Sequence, residues 1–241
     1  MNPLYKYPTR ITYYDLDCRG KIKLSALLRM VHVAADANAR ELGAGYDVLA
    51  PLGMTFVLQR FGVSCFRMPA YYEDVLIRTW PSDVAKGTFL RRGDMYDTKG
   101  IKIMEWASLW LLFDINARKP LKPTALPSPF PTLGDEGVLV MPEKVALPTD
   151  WQPFSQYNHI VSYRDVDTNM HMNNSIYGDL IGDAIFPTGE SNMPDWAQVQ
   201  INYLAEIRLG AEADVRAMRE GNGFVVVGEA GGRKAFTARV T

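Results

Sequence analysis

The chain repeats itself, and the repeat limits what it can become. Shifting the first half by 150 positions lays Asp15-Leu16-Asp17 on Asp165-Val166-Asp167 and Ser25 on Ser175. A second match, at a shift of 140, lays Asp74-Val75 on Asp214-Val215. Either match alone is short enough to be chance. Both together, in the same order and flanking the same kinds of segment, indicate an internal duplication. Each copy reads as an opening strand, a polar break, an amphipathic helix and a run of antiparallel strands. That order suits an α+β unit in which a curved sheet wraps one helix.

In the first copy a strand is expected over residues 5–14, broken by Asp15-Leu16-Asp17-Cys18-Arg19-Gly20. Ser25 reads as the N-cap of a helix ending before Gly43. Leu27, Val31, Ala34, Ala35, Asn38 and Leu42 share its buried face, while His32 is expected on the solvated face, paired with Asp36. Strands are expected over 55–67, 74–80, 87–96 and 102–113. Residues 120–153 then hold eight of the fifteen prolines. Proline removes backbone donors and restricts the residue before it, so this segment should be extended, with its scattered apolar residues packed along the surface. In the second copy the expected strands are 158–163, 197–207, 213–218, 224–228 and 235–240. A helix capped by Asn173 or Asn174 carries Ile176, Tyr177, Leu180, Ile181, Ala184 and Ile185 on its apolar side. The implied organisation is a first domain over 1–119, a linker over 120–153 and a second domain over 154–241.

Composition excludes several function classes. A net charge of −1 does not suit a general nucleic-acid binder, which needs a basic excess. The longest strongly apolar run, Trp106 to Phe113, is too short to span a bilayer. Cys18 and Cys65 lie far apart without metal-type spacing, and the first residues lack the apolar core of a secretory signal. The expectation is a soluble cytoplasmic protein with no nucleic-acid or membrane partner.

The copies differ where chemistry is concentrated. Between Tyr163 and Tyr177 the second copy places two carboxylates, three amides and an imidazole just ahead of a helix. Where it has Asn169 and His171, the first copy has Arg19 and Lys21; opposite Glu206, at the shift of 140, stands Phe66. Asp165 and Asp167 occur in both copies, so at least one of them serves the shared turn. Asp165 reads as an Asx-type turn residue and His159 as structural. No metal-binding spacing or phosphate-binding glycine loop is present.

The pattern Asp167-x-Asn169-x-His171-x-Asn173-Asn174, followed some thirty residues on by Tyr203-Leu204-Ala205-Glu206, resembles the acyl-acyl carrier protein thioesterases of plant plastids and bacteria. The resemblance covers essentially the whole chain. It implies two hotdog domains in tandem, a Pro-rich linker, and an active site in the second domain alone. By that resemblance Asp167, Asn169, His171 and Glu206 form the catalytic constellation. The partner implied is acyl carrier protein carrying a fatty acyl chain on its phosphopantetheine arm, with no cofactor of the enzyme's own. Plant members have a cysteine directly after the glutamate. Here that residue is Ile207, which excludes a cysteine nucleophile at this position and favours attack by water.

Thioester hydrolysis needs an activated water, a polarised carbonyl and a proton for the leaving thiolate. Glu206 is the leading general base, with His171 and Asn169 positioning and Asp167 orienting; His171 as the base with Glu206 as its partner is the alternative. Backbone N–H groups of Asn173, Asn174 and Ser175 at the helix start are the expected oxyanion donors. Two other functions compete: an acyl-CoA thioesterase with Asp167 as main carboxylate, and a non-catalytic acyl-thioester sensor. An acidic carrier protein calls for a basic patch, to which Arg91-Arg92 or Arg216 and Arg219 could contribute. Hotdog domains pair, and two in one chain can pair with each other, which leaves a homodimer as the alternative.

Overall fold

The computed structural model describes residues 2–148, 152–187 and 195–241. The first half runs β1 (Tyr5–Arg10), α1 (Leu24–Glu41), a short α2 (Tyr46–Leu49), β2 (Met54–Cys65), β3 (Asp74–Ala85), β4 (Thr88–Asp97), β5 (Lys102–Asp114) and β6 (Lys119–Pro120). The second runs β7 (Ser155–Ile160), α3 (Ile176–Ile185), β8 (Gln198–Tyr203), β9 (Glu212–Glu220), β10 (Gly223–Ala230) and β11 (Arg233–Val240). One antiparallel sheet holds all the strands in the order β1-β3-β4-β5-β2-β8-β11-β10-β9-β7, with β6 on β5. Each half thus supplies five strands in the same relative order, and β2 joins β8 at the centre. This is the tandem hotdog arrangement expected, with the two copies paired inside one chain.

Helix α1 buries the face expected of it: Leu27, Val31, Ala34, Ala35 and Asn38 are all inaccessible or nearly so. It begins one residue early, at Leu24, so Ser25 is not its N-cap. Ser25 instead turns its hydroxyl to Asp179 of α3. Helix α3 is shorter, ten residues against eighteen, and packs on β7, β9 and β10. The two helices touch at their N-termini, where Gly178 brings its backbone against Leu24 and Ser25. One apolar core runs through both halves, from Ile11, Leu27 and Trp106 to Leu180, Ile201 and Phe236.

The duplication is real, but its second match is out of register. Ile11 N–H donates to Glu73 O and Val161 N–H to Ala211 O; Phe66 and Arg67 both donate to Ile103 O, as Leu204 and Ala205 both donate to Ala235 O. A β-bulge recurs at the same point, between Met95 and Tyr96 and between Gly228 and Glu229. These pairings equate Phe66 with Leu204 and Glu73 with Ala211, a shift of 138 rather than 140. The Asp-Val coincidence is therefore spurious, and the counterpart of Glu206 is Met68, not Phe66. Met68 is equally unable to act as a base, so the asymmetry between the copies stands.

The proline-rich segment is packed, as expected, along the sheet. Gly134 O accepts from Trp80 Nε1 at 3.0 Å, and Arg92 donates to the carbonyls of Val138 and Val140. Farther on, Asn202 Nδ2 donates to Glu143 O at 2.7 Å while its Oδ1 accepts from Val145 N. Residues 149–151 of the segment lie outside the described residues. Strand β7 ends at Ile160 rather than Tyr163, because Ser162 and Asp165 close a capping box around a 3₁₀ turn. No helix is long and apolar enough to cross a membrane among the described residues.

Candidate active site

The polar turn is built the same way twice. In the first copy Thr12 N–H donates to Asp15 Oδ2 at 2.8 Å, and in the second Ser162 N–H donates to Asp165 Oδ2 at 2.8 Å. Asp17 Oδ1 accepts from Arg19 N and Lys21 N; Asp167 Oδ1 accepts from Asn169 N at 2.9 Å. Both aspartates thus serve the shared fold. The difference lies in the second oxygen: Arg19 occupies Asp17 Oδ2 with its guanidinium, whereas Asp167 Oδ2 has, among the described residues, only a long 3.4 Å contact from Asn173 Nδ2.

Asp165 is 4% exposed and also bonds His159 Nε2 at 3.0 Å, so both residues are structural. Burial alone would raise its pKa, but the Ser162 N–H and the imidazole outweigh this and hold the carboxyl below its usual range. Its stabilisation is present above the unfolded carboxyl value of about 4 and is lost as pH falls through the lower folded value. Asp165→Ala should cost about 1–2 kcal/mol at pH 7. The gap between mutant and wild type in thermal melts should narrow as pH falls below about 4.

Between Asn169 and His171 the backbone is strained. Met170 holds φ at 62°, where the first copy has Gly20 at 73°. A non-glycine residue in the left-handed region costs on the order of 1 kcal/mol, and such residues cluster at functional sites. The segment after it then pairs with the chain beyond β8. His171 bridges to Arg208, and Met172 N–H donates to Ile207 O at 2.7 Å. Glu206 is therefore not on a strand, as the alternation suggested, but three residues past the end of β8.

This pairing sets His171 Nε2 3.8 Å from Glu206 Oε2. The other oxygen of Glu206 accepts from Arg208 Nη2 at 2.7 Å and from Arg118 Nη2 at 2.8 Å. Desolvation would raise the Glu206 pKa, but the two guanidinium hydrogen bonds win and hold it below the usual range. Arg118 comes from the first half, between β5 and β6, so a residue of each copy meets at this carboxylate.

These groups line a cleft of about 780 Å³ whose wall includes Arg118, His171, Asn174, Tyr177, Glu206 and Arg208. Val57, Leu58 and Leu111 supply apolar wall from the first half. Asp167 and Asn169 are not on that wall; Asp167 is half-buried behind it, and Asn169 is exposed at the turn. Of the four expected catalytic residues, the fold brings two together. Of the three expected oxyanion donors, Asn173 N–H goes to Asp165 O and Ser175 N–H to Asn173 Oδ1. That leaves the N–H of Asn174, on the cleft wall. The N-cap of α3 is Ser175, not Asn173 or Asn174 as expected; Asn173 Oδ1 accepts from the N–H and the hydroxyl of Ser175 just ahead of the helix.

Sequence reasoning missed Arg118, Arg208, Arg233, Tyr177 and Tyr203. The two tyrosines meet edge to face at 5.0 Å on the cleft wall, and Tyr203 OH donates to Asn174 O at 3.3 Å. Arg208 stands two residues after Glu206, a spacing visible in the sequence. Arg118 carried no local signal. Of the suggested docking arginines, Arg91 and Arg92 are both 8% exposed, Arg216 pairs with Asp214 and Glu229, and Arg219 is exposed over the rings of Phe154 and Phe224. Among the described residues no group of three or more His, Cys, Asp or Glu side chains is placed to hold a metal ion.

Comparison with known proteins agrees with this architecture. The family profile for the acyl-ACP thioesterase N-terminal domain matches residues 3–124, and that for the C-terminal domain matches residues 150–229. No curated protein gives a significant match. Among solved structures, an acyl-ACP thioesterase from Bacteroides thetaiotaomicron is 24% identical, with a TM-score of 0.87, 99% of this chain and 97% of that one being covered. The 12:0-ACP thioesterase from Umbellularia californica is 16% identical, with a TM-score of 0.82 and 100% and 97% covered. Two domain profiles in the right order, over a fold that pairs the two copies and leaves polar chemistry in one, place the chain in the acyl-ACP thioesterase family, hydrolases of fatty acyl-ACP thioesters.

Proposed function

We propose that hydrolysis takes place in the cleft between the two halves, with His171 as the base and Glu206 as the group that orients it. The observation that carries this reading is the clamp on Glu206. A carboxylate held by two arginines stays ionised and is a weak proton acceptor, whereas imidazole titrates nearest neutrality of the common bases. This reading takes the alternative, His171 as base with Glu206 as its partner, over Glu206 as leading base. With Nε2 turned to Glu206, Nδ1 is the ring nitrogen free to take a proton from water. Water attacks the thioester carbon, and the oxyanion is met by the N–H of Asn174. As the C–S bond breaks, the imidazolium returns its proton to the departing thiolate. Asp167 and Asn169 hold the turn that presents His171.

Arg118, Arg208 and Arg233 ring the cleft and are exposed, on a chain whose net charge is −1. Such a local cationic rim suits an acidic carrier protein. We place the reaction in the cytoplasm, a reading supported by the unpaired Cys18 and Cys65. Steady-state hydrolysis of acyl-ACP and acyl-CoA with the same acyl chain tests the assignment. The expected result is preference for acyl-ACP, with kcat/KM falling as ionic strength rises. Faster turnover of acyl-CoA would reject the carrier-protein partner, and no turnover of either would reject the cleft as an active site.

A further inference from the structure

Two tyrosines stand in the wall of the Glu206 cleft, and their hydroxyls are not equivalent. Tyr203 OH donates to Asn174 O at 3.3 Å. Tyr177 is 3% exposed, and among the described residues the one acceptor for its hydroxyl is Ala205 O, 3.5 Å away. An O–H donor ordinarily sits about 2.7–2.8 Å from its acceptor, so this contact is at the outer limit. The ring, by contrast, is fixed. It meets Tyr203 edge to face at 5.0 Å and Phe236 at 5.2 Å. A buried hydroxyl on a rigid ring with so weak a partner is an exception in a folded protein, and it leaves a proton to donate.

The first copy lacks this group. At the shift of 150 that superimposes the two polar turns, Tyr177 falls on Leu27, and at the shift of 138 Tyr203 falls on Cys65. Leu27 is fully buried in α1, so packing at this place in the fold does not require a hydroxyl. The phenols accompany His171 and Glu206 and are missing where those two are missing. The helix start offers an oxyanion one backbone donor, the N–H of Asn174, whereas such sites ordinarily combine several. Helical Cα–Cβ bonds tilt toward the N-terminus, so the Tyr177 side chain leans back over the turn that holds Asn174, three residues earlier. Asn174, Tyr177 and Ala205 line the same wall. Burial, with the Glu206 and Asp167 carboxylates nearby, pushes the Tyr177 pKa up, so the phenol keeps its proton.

We propose that Tyr177 is a catalytic residue whose hydroxyl is the second oxyanion donor, beside the N–H of Asn174. As water adds to the thioester carbon, the carbonyl π pair moves onto oxygen, which accepts from Tyr177 OH and Asn174 N–H. When the carbonyl re-forms, that pair returns, the C–S bond breaks and the thiolate leaves. Tyr177 keeps its proton throughout, so it strengthens a hydrogen bond and transfers nothing. The weak contact to Ala205 O is what the hydroxyl gives up as negative charge develops on the substrate oxygen. The assignment rests on hydrolysis in this cleft, and it holds whichever of His171 and Glu206 is the base.

Kinetics of Tyr177→Phe in the full chain test this. Phenylalanine keeps the ring and both edge-to-face contacts, so the thermal melt should stay where it is. For acyl-ACP, kcat should fall by about 10²–10³-fold, the usual loss of one oxyanion donor, with KM changing less than about threefold. A long-chain alkyl trifluoromethyl ketone, whose hydrate is tetrahedral, should inhibit the variant roughly tenfold or more less tightly than wild type. The fatty amide of the same chain length, planar like the substrate, should bind both alike. Tyr177→Leu, which installs the residue of the first copy, should lose kcat in the same way if Tyr177→Phe does not fold. Near-wild-type kcat, a loss confined to KM, or equal weakening of ketone and amide would each overturn the proposal. If Tyr177→Phe keeps its kcat while His171→Ala is inactive, the role of Tyr177 alone fails. If both variants keep theirs, the cleft fails as the active site and this proposal with it.

Discussion

Replacing His171 with alanine should lower kcat for acyl-ACP hydrolysis by roughly 10²–10⁴-fold, the usual contribution of a positioned base. KM and the thermal melt should change little, because the His171 side chain is half-exposed and, among the described residues, its one close partner is Glu206 at 3.8 Å. The backbone bridge to Arg208 that shapes the turn does not depend on the imidazole. Glu206→Gln distinguishes the two assignments. If Glu206 only orients the ring, the amide retains part of that role, and the pH–rate profile keeps its ascending limb with a reduced plateau. If Glu206 were the base, the amide would be as inactive as His171→Ala and the ascending limb would disappear. Arginine hydrogen bonds hold the Glu206 carboxyl below its usual range, so it is ionised throughout the pH range of such a profile.

The two glycines of α3 should behave oppositely although they are one turn apart. A Cβ on Gly178 would lie 2.6 Å from Ser25 N and 2.9 Å from Ser25 Cα, inside the backbone of α1. Backbone cannot rotate aside as a side chain can, so Gly178→Ala should destabilise by about 1–3 kcal/mol despite its better helix propensity, and Gly178→Val by more. At Gly182 nothing lies within 4 Å of the same position. There Gly182→Ala should stabilise by about 0.5–1 kcal/mol, the ordinary gain from replacing a helical glycine. For a chain of this size each kcal/mol moves Tm by roughly 2–4 °C, so the pair should separate clearly in a calorimetric scan. Equal melting of the two alanine variants would mean that the helices do not meet at Gly178.

How much could be read beforehand differs from element to element. The buried face of α1 was legible because helical periodicity reports burial directly: Leu27, Val31, Ala34 and Asn38 lie where their spacing puts them. His32 was misjudged because a residue at the edge of an amphipathic stripe is exposed or buried according to what covers it. Trp110, far away in sequence, lies against the His32 ring, and the His32 Nε2 is buried. The equivalence of Asp74 and Asp214 failed for another reason. Two-residue identities recur by chance, and in strands a two-residue slip keeps every side chain on the same face, so patterning cannot detect it. Only the shared hydrogen-bond pattern reveals the shift.

From its residues alone this chain is a duplicated α+β protein with one polar copy and one that lost or never had the polar groups. Those conclusions rest on periodicity, turn chemistry and local composition, which act within a dozen residues and need no knowledge of what packs against what. The motif at Asp167–Asn174 marked the region of the site for the same reason. Tertiary structure decided which members of the motif face the cleft, by pairing His171 with the segment after β8 and setting Asp167 behind it. It also decided the electrostatics. Arg118 reaches Glu206 from the other copy, and buried Arg91 meets Asn38 and Thr79, with no ion-pair partner among the described residues. Charge–charge contacts of that kind join positions remote in sequence, and their strength depends on distance and burial, neither of which a linear pattern contains.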